Sequence, residues 1–480
     1  MMALRSVISS KIPMVIILGA TGTGKTKLSI ELAQRFETEI ISADSMQIYK
    51  GLDIVTAKAS LTERELVTHH LLNILEPHQN FTVVDFRNRA LEIINNLTAQ
   101  EKIPIVAGGT VYYIESIVYK ILVEDMDDTN ALLWEKSKRK RDFNDIDTKE
   151  EFKKKALDCE DHEHAKFDCA VVREMYDDNG GLNRDKLLED IDNEAQFTNQ
   201  EIHDRLRVVD PVMASRLHPN NRRKVLRSIE VWLKSGRRHS EVLDEQKTSE
   251  GLLRRPGATI ILWLTCDKEV HEVRLDSRVD DMLQAGLIEE LLAFHEAHNK
   301  HRIKDGTLPD YTKGVFQTLG FKEFHEYLMM SVEEKQSEAG KKLLQESILN
   351  MKLATKRFAR RQNKMVRGRF LENSRREVPP IYQLDTTNLD EWDEVVKNKA
   401  IHIIEAFMKN ETCQFEPLKP QSQQDEASID SHSSNFCEVC KRLIVGDKEY
   451  AIHLLSNRHK KVLKKHLSGK IPDKNEGTDV

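Results

Sequence analysis

The glycine-rich stretch at residues 19–26, Gly-Ala-Thr-Gly-Thr-Gly-Lys-Thr, constrains the fold more than any other part of the sequence. It follows the apolar run 14–18, which predicts a buried parallel strand, and precedes residues 27–33, which have helical spacing. A strand, a glycine turn with Lys-Thr and a helix are, in this order, typical of a phosphate-binding loop. The glycines let backbone N–H groups converge, and the helix N-terminus adds partial positive charge. We therefore expect Lys25 to meet an outer phosphate and the Thr26 hydroxyl to bind Mg²⁺.

Three further segments predict strands of the same sheet: residues 39–44, 103–107 and 259–265. Their alternation with helices predicts an α/β fold, a P-loop NTPase-like three-layer core with a parallel sheet. The second strand ends in Asp44, and the third runs into Gly108-Gly109-Thr110. Because the carboxyl ends of parallel strands border the ligand crevice, we expect Asp44 to face the phosphate site. Its position alone fits a functional carboxylate and a helix N-cap equally well.

Composition limits the class of protein. With 480 residues, 39% hydrophobic and 32% charged, the chain has room for two to four domains, and no apolar run approaches the roughly 20 residues of a membrane span. The six cysteines are scattered apart from one close pair, which favours a reducing compartment over a disulfide framework. The N-terminal segment has Arg5, Lys11, three serines and no acid, a pattern that weakly resembles a mitochondrial transit peptide. We expect mitochondrial and cytoplasmic locations, with the nucleus as a further option.

Charge patterning divides the chain into domains. We expect a discontinuous core at 12–122 and 206–410, interrupted by a helical insertion at 123–205 that is rich in charge. Basic blocks of the insertion, such as residues 136–141, are explained more simply as solvated helix faces than as binding sites. Residues 411–435 are polar and rich in Pro, Gln and Ser, which predicts a flexible linker.

Two predicted helices of the core carry clusters of basic residues. One is amphipathic, ends near Gly236 and bears the basic cluster of residues 222–227. The other contains seven basic residues and no acid within 356–369, interleaved with Phe358. Basic residues alternating with aromatic ones suit a polyanion better than a solvated surface. We therefore expect the second helix to bind nucleic acid.

The C-terminal residues 436–468 have the spacing of a small ββα-type zinc finger. The two thiolates of Cys437 and Cys440 and the two imidazoles of His453 and His459 can form a tetrahedral Zn²⁺ site. Basic residues follow the last of these ligands, which favours nucleic acid over a protein partner without excluding the protein.

Further motifs complete the pattern, and they occur in the ranges 41–49, 51–58, 69–73, 81–86, 103–113, 209–220 and 317–324. Together with the P-loop and the finger, they resemble the tRNA dimethylallyltransferases, also called tRNA isopentenyltransferases, of the eukaryotic type with a C-terminal C2H2 zinc finger. The match covers most of residues 12–370, in order.

The resemblance implies an enzyme that transfers a dimethylallyl group from dimethylallyl diphosphate to N6 of adenosine 37 in the tRNA anticodon loop and releases diphosphate. It implies Asp44 as the general base, Thr23 near the reacting centre, Mg²⁺ on Thr26 with the diphosphate, and Zn²⁺ in the finger. The expected diphosphate-binding residues are Gly19, Ala20, Thr21, Gly22, Thr23, Gly24, Lys25 and Thr26. The arginine that binds diphosphate stays unassigned, because bacterial members often have Arg where this chain has Gln317.

The same resemblance implies contacts with the tRNA anticodon stem-loop. The expected tRNA-binding residues are Asp44, Ser45, Met46, Gln47, Thr110, Arg223, Lys224, Val225, Leu226, Arg227, Arg357, Arg360 and Arg361. We expect a monomer without a membrane partner.

Two other functions fit parts of the sequence. A small-molecule kinase would use the same loop on ATP, although Gly-Gly-Thr, rather than a metal-binding Asp, ends the third strand. A catalytically silent nucleic-acid-binding protein would keep the zinc finger beside a degenerate P-loop. Transfer of label from dimethylallyl diphosphate to RNA would distinguish the predicted enzyme from both.

Overall fold

The structure is a computed structural model, and it describes residues 12–77, 79, 81–120, 183–248, 252–299, 311, 314–372, 376–419, 434–440 and 442–467. The targeting prediction for the N-terminus, the basic block 136–141, most of the predicted insertion and most of the predicted linker lie outside the described residues.

The described strands are β1 (Met14–Gly19), β2 (Ile40–Ser42), β3 (His69–His70), β4 (Ile105–Gly108), β5 (Thr259–Thr265), β6 (Ile381–Asp385), β7 (Ser434–Cys437) and β8 (Arg442–Val445). The α-helices are α1 (Lys25–Arg35), α2 (Leu61–Leu66), α3 (Val83–Ala99), α4 (Val111–Val118), α5 (Arg184–Asp192), α6 (Asn199–Val209), α7 (Pro211–Arg216), α8 (Arg222–Ser235), α9 (His239–Thr248), α10 (Lys268–Gln284), α11 (Leu287–Phe294), α12 (Phe321–Met329), α13 (Val332–Gln336), α14 (Glu338–Val366), α15 (Lys399–Lys409), α16 (Asp447–Leu455) and α17 (Asn457–Leu467). Short π-helical segments occur at His295–Asn299, Arg367–Leu371 and Trp392–Asn398, and 3₁₀ turns at Glu194–Gln196 and Gly314–Gln317. No helix in these ranges combines the length and apolar character needed to cross a membrane.

Six strands form one parallel sheet in the order β3-β2-β4-β1-β5-β6. The P-loop strand β1 is central, and its Ile16 lies opposite Val106 of β4 and Ile261 of β5. All six residues of β1 are buried, because helices cover both faces of a parallel sheet. The predicted α/β fold with a parallel sheet is confirmed. The two edge strands, β3 and β6, were not predicted.

Two hydrophobic clusters make the three layers. On one face, Ile16 and Leu18 of β1 pack with α3 and α4. On the other face, Val15 and Ile17 pack with α1 and α15. Successive β1 side chains alternate between the clusters, as the strand period of two requires. The sheet therefore presents its carboxyl edge, with the P-loop, between helices from both layers.

The described residues form two compact units, which divide the chain differently from the predicted domain ranges. The first unit contains the sheet and the described residues up to 120 and from 252 to 419. The second contains 183–248 and the finger. Residues 206–248, predicted as core, belong to the second unit because α5, α6 and α8 share one hydrophobic cluster. A buried ion pair, with Arg205 Nε 2.8 Å from Asp190 Oδ2, ties α6 to α5.

The finger has the predicted ββα order. Strands β7 and β8 form an antiparallel hairpin, in which Cys437 pairs with Arg442, and α16 and α17 follow. The helical part divides at Ser456, whose hydroxyl accepts a hydrogen bond from the His459 N–H at 3.2 Å. This hydroxyl caps the helix that carries the last predicted zinc ligand.

Candidate active site and metal centre

The P-loop requires glycine at two positions where the backbone is left-handed and tightly packed. Gly22 has φ +78°, and a Cβ there would lie 2.9 Å from Leu275 Cδ2. Gly24 has φ +88°, and a Cβ there would lie 2.7 Å from the Trp392 ring. A side chain at either position would combine backbone strain with a steric clash. The loop is therefore held from two sides, by α10 and by the segment that carries Trp392.

Lys25 lies inside the loop and is held by the loop itself. Its Nζ donates to Ala20 O at 2.7 Å, and the buried Thr23 hydroxyl donates to the same carbonyl oxygen at 2.8 Å. Burial lowers the pKa of Lys25 to about 8; nearby Asp44 raises this pKa and nearby Arg278 lowers it. An anion bound in the loop would restore the charged form of the lysine.

Asp44 follows β2, and its two carboxylate oxygens have different partners. Oδ1 accepts hydrogen bonds from Met46 N at 2.9 Å and from Gln47 N at 3.4 Å, so it caps the following turn. No hydrogen bond to Oδ2 is found among the described residues. The two sequence interpretations of Asp44 are therefore compatible, because one oxygen holds the turn while the other is available to a ligand.

Helix α10 supplies one wall of the site through His271, Leu275 and Arg278, which share a helix face. His271 Nε2 donates to Thr21 O at 2.8 Å, and burial lowers its pKa, which favours the neutral ring. Burial also lowers the pKa of Arg278, while Asp44 raises it. We find no hydrogen bond or ion pair of the Arg278 guanidinium within the part of the chain that the structure describes. Arg278 therefore offers its donors to an anion near Lys25.

Arg278 is not among the residues predicted from the sequence, in which Gln317 is the position that carries Arg in many bacterial members of the family. Gln317 is exposed, and its side chain donates to Gly314 O at 3.2 Å. The signal for Arg278 was the spacing of His271, Leu275 and Arg278 at i, i+4 and i+7, which places them on one face. The sequence did not show that this face packs against the P-loop.

Gln362 of α14 joins the P-loop to the turn after β4. Its Oε1 accepts from Thr21 N at 2.9 Å, and its Nε2 donates to Gly109 O at 3.2 Å. A side chain on Gly109 would overlap this amide. Gln362 is buried, so both loops depend on it for hydrogen bonding. The residues predicted from the sequence include the basic residues of this helix but not Gln362.

The predicted residues Asp44, Ser45 and Thr110 come together at the carboxyl edge. The Thr110 hydroxyl accepts from Ser45 N at 3.1 Å. A Cβ on Gly108 would overlap the carbonyl of Ala43, so the ends of β2 and β4 approach closely. This contact fixes the two loops relative to each other.

The side chain of Gln47 stabilises the loop that follows Asp44. Its Nε2 donates to Thr56 O at 3.1 Å and to Ala57 O at 3.2 Å. The buried ammonium of Lys58 donates to Tyr49 O at 2.7 Å and to Asn73 Oδ1 at 2.6 Å. These bonds hold the segment after Asp44. Met46 lies in the same segment and is partly exposed.

The predicted tRNA contacts on α8 need one correction. Arg223 and Lys224 are exposed and Arg227 is half-exposed, as RNA contacts would require. Val225 and Leu226 are 0% and 5% exposed and belong to the core of the second unit. Their side chains are therefore not available to RNA.

The basic helix α14 divides into paired and exposed residues. Lys356 Nζ lies 2.7 Å from Asp276 Oδ2 of α10, so this charge is compensated. Arg357, Arg360 and Arg361 are exposed, and the Arg360 Nε lies 4.0 Å from Glu272 Oε1. The three predicted RNA contacts on this helix therefore present their side chains to solvent.

The predicted zinc ligands Cys437, Cys440, His453 and His459 place their ligand atoms within 4.8 Å of one another. His459 Nδ1 lies 3.5 Å from each cysteine sulfur and 3.2 Å from His453 Nε2. Around tetrahedral zinc, sulfur and nitrogen ligands lie about 3.5 Å apart and two nitrogens about 3.3 Å apart. The cluster therefore has the dimensions of a closed, four-coordinate zinc site.

Comparison with known proteins tests the resemblance. A family model described as IPP transferase matches residues 47–168 and 169–369. The chain is 40% identical over 462 residues to the tRNA dimethylallyltransferase of Mus musculus, covering 95% of this chain and 86% of that protein. It is 40% identical over 461 residues to the tRNA dimethylallyltransferase of Homo sapiens, with the same coverage.

A solved structure described as a eukaryotic dimethylallyltransferase acting on tRNA superposes with a TM-score of 0.69 at 28% identity, covering 95% of this chain and 98% of the other. The chain therefore belongs to the IPP transferase family, as its motifs predicted.

Proposed function

We propose that this protein transfers a dimethylallyl group from dimethylallyl diphosphate to N6 of adenosine 37 in the anticodon loop of tRNA, with release of diphosphate. The observation that carries the proposal is the carboxyl edge of the sheet, where Gln362 joins the P-loop to the turn at Gly109 and Thr110 joins this turn to Ser45, the neighbour of Asp44. Asp44 raises the pKa of both Lys25 and Arg278, which agrees with a carboxylate beside these two cations. Two cations suit a diphosphate, and the carboxylate beside them suits a proton acceptor.

The P-loop would hold the diphosphate through its backbone N–H groups and Lys25, with Arg278 on the opposite wall. When the bond between the allylic C1 and the diphosphate oxygen breaks, negative charge develops on the leaving group. Fixed donors stabilise this charge more in the transition state than in the ground state. The conformation of the P-loop is fixed before the substrate binds, because its glycines pack against Trp392 and α10.

Asp44 Oδ2 would accept the proton of the attacking N6 amine. The N6 lone pair is delocalised into the purine ring, so the nitrogen attacks well only as its proton leaves. A positioned carboxylate contributes about 10²–10⁴-fold to such a step. The bonds from Met46 N and Gln47 N to Oδ1 orient the carboxylate.

Magnesium would be shared between Thr26 and the diphosphate. The Thr26 hydroxyl makes no hydrogen bond with any described residue, so it is available as a ligand. No group of three or more acidic, His or Cys side chains in the described part of the first unit could hold a metal alone. When bound, Mg²⁺ supplies positive charge for the leaving diphosphate.

The tRNA would reach the site with its target adenosine extruded from the anticodon loop, which costs a few kcal/mol and less than in a duplex. Ser45 and Thr110 lie beside Asp44 and would contact this nucleotide. Arg223, Lys224, Arg227, Arg357, Arg360 and Arg361 would bind phosphates. The finger, with Zn²⁺ on its four ligands, would add a basic RNA-binding surface.

The test uses purified protein, unmodified tRNA and labelled dimethylallyl diphosphate. We expect label in the RNA, and none in a matched tRNA with guanosine in place of adenosine 37. Turnover of ATP without label transfer would instead support a small-molecule kinase. Binding of tRNA without any turnover would support a catalytically silent RNA-binding protein.

A further inference from the structure

Two neighbouring tyrosines at the start of α4 have opposite environments. Tyr113 is 6% exposed and stacks on Phe86, with ring centroids 4.1 Å apart and an interplanar angle of 8°. Tyr112 is 52% exposed, although it is a large aromatic residue. Tyr113 thus belongs to the core, whereas about half of Tyr112 remains open to a partner.

An arginine lies over the exposed tyrosine. The Arg369 guanidinium carbon is 5.1 Å from the Tyr112 ring centroid, and Arg369 Nη2 donates to the Tyr112 hydroxyl at 3.4 Å. Arg369 Nη1 lies 3.4 Å from Oε1 of Glu115, a buried carboxylate that also pairs with Arg376. Two guanidinium groups share one carboxylate, so the cluster keeps a net positive charge. Glu115 orients Arg369 without neutralising the cluster.

The second arginine of this cluster, Arg376, also lies over a tyrosine, but that tyrosine is buried. Arg376 lies over Tyr119, with its guanidinium carbon 5.1 Å from the ring centroid, but Tyr119 is 2% exposed. Of these two arginine–tyrosine pairs, the pair of Arg369 and Tyr112 combines an accessible ring with a partly exposed cation.

The pair lies next to the candidate active site. Tyr112 follows Thr110 by two residues, and Thr110 is bonded to Ser45, the neighbour of Asp44. Arg369 follows α14, whose Gln362 bonds to Gly109. Both halves of the pair are therefore attached to elements that build the carboxyl edge.

We infer that Tyr112 and Arg369, oriented by Glu115, form a binding site for one unpaired nucleotide of the RNA substrate, adjacent to the adenosine that enters the active site. The base stacks on the Tyr112 ring, and Arg369 binds the phosphate. Aromatic rings beside arginines are the usual platform for unpaired RNA bases. The inference rests on the proposed function, because it deepens the recognition of the same RNA.

The direct test is fluorescence of an anticodon stem-loop RNA carrying 2-aminopurine on either side of the target adenosine. Stacking quenches 2-aminopurine. We expect quenching by the full-length protein at one of the two positions, retained by Tyr112→Phe and lost in Tyr112→Ala. The affinity of Tyr112→Ala for the stem-loop should fall about fivefold or more. The KM for dimethylallyl diphosphate and the melting temperature should stay at the wild-type values.

Arg369→Ala tests the phosphate contact. Its affinity for the stem-loop should fall at low salt. The plot of log affinity against log salt should also become less steep, by the amount expected for the loss of about one phosphate contact. Arg35→Ala is the matched control, because Arg35 also lies over an aromatic ring, that of Phe36 at 5.4 Å, and pairs with Glu405 at 2.6 Å. It is at the end of α1 opposite the P-loop, so its RNA affinity should not change.

Unchanged quenching and affinity in Tyr112→Ala would overturn the inference. A raised KM for dimethylallyl diphosphate or a lower melting temperature in Tyr112→Ala would also overturn it, since the ring would then be structural. The readouts separate this inference from the proposed function. Quenching without label transfer by the wild-type protein would refute the transferase alone, and transfer without any quenching would refute the nucleotide site alone.

Discussion

The charge of Lys25 gives the P-loop a pH dependence that can be worked out in advance. Burial lowers the pKa of Lys25 to about 8. At pH 8, therefore, about half of the molecules hold a neutral lysine. A bound diphosphate favours the charged form and raises this pKa, so binding must take up a proton.

The direction and the size of the pH effect on diphosphate binding follow from this proton uptake. Proton uptake on binding dimethylallyl diphosphate should be about half a proton at pH 8 and about nine-tenths at about pH 9. Affinity is fully present only well below pH 8 and falls as the pH rises through about 8, approaching a loss of about tenfold or 1.4 kcal/mol per pH unit above it. Titration calorimetry in buffers with different ionisation enthalpies measures this uptake directly.

Two variants should move the midpoint in opposite directions. Asp44 raises the pKa of Lys25 and Arg278 lowers it. Asp44→Asn should therefore shift the midpoint of proton uptake below pH 8, and Arg278→Gln should shift it above pH 8. The reasoning is refuted if uptake is absent between about pH 7 and 9, or if the two variants shift the midpoint in the same direction.

Three other predictions concern the supports of the site and the second unit. Gln362→Leu leaves the Thr21 N–H without its partner, so thermal melting should show a loss of about 1–3 kcal/mol in folding stability. Kinetics should show a raised KM for dimethylallyl diphosphate. Wild-type stability and a wild-type KM would contradict the bridging role of Gln362. Chelation of zinc, or Cys437→Ser, should unfold the finger, because zinc binding contributes roughly 10–16 kcal/mol to the folding of comparable fingers. The affinity for tRNA should fall while label transfer persists. A finger that keeps its circular dichroism without bound zinc would contradict this prediction. Leu226→Ala should destabilise the second unit by about 2–5 kcal/mol, whereas Arg223→Ala should lower tRNA affinity at unchanged stability; equal effects of the two variants on stability would show that Arg223 is structural.

The sequence predicted the features that depend on local chemistry. The P-loop was found because its glycines, Lys25 and Thr26 stand next to one another between a strand and a helix. The four buried strands were found because they are apolar. The four predicted zinc ligands have a spacing that is characteristic of such a site, and the structure brings all four together.

The features that were missed depend on tertiary packing. Arg278 and Gln362 lie on long helices, and nothing in the local sequence shows which helix face meets the P-loop. Strand β6 has polar residues at two of its five positions, Gln383 and Asp385, so its pattern resembled that of an exposed segment. The assignment of residues 206–248 to the core failed to anticipate that α6 and α8 pack with α5.

The burial of Val225 and Leu226 could have been predicted. The buried residues of α8 include Val225, Leu226, Ile229 and Leu233, which recur at the spacing of one apolar helix face. The resemblance to the family implies a continuous range of contacts, and the helical period divides that range into a buried face and an exposed face.

The central claim is that a diphosphate site and the carboxylate of Asp44 act together on an extruded adenosine. Single-turnover transfer from labelled dimethylallyl diphosphate to unmodified tRNA, at saturating substrates, tests it most directly in Asp44→Asn. We predict a rate about 10²–10⁴-fold below wild type, with the tRNA dissociation constant unchanged. A rate within about tenfold of wild type would contradict the account, since a general base contributes more than that.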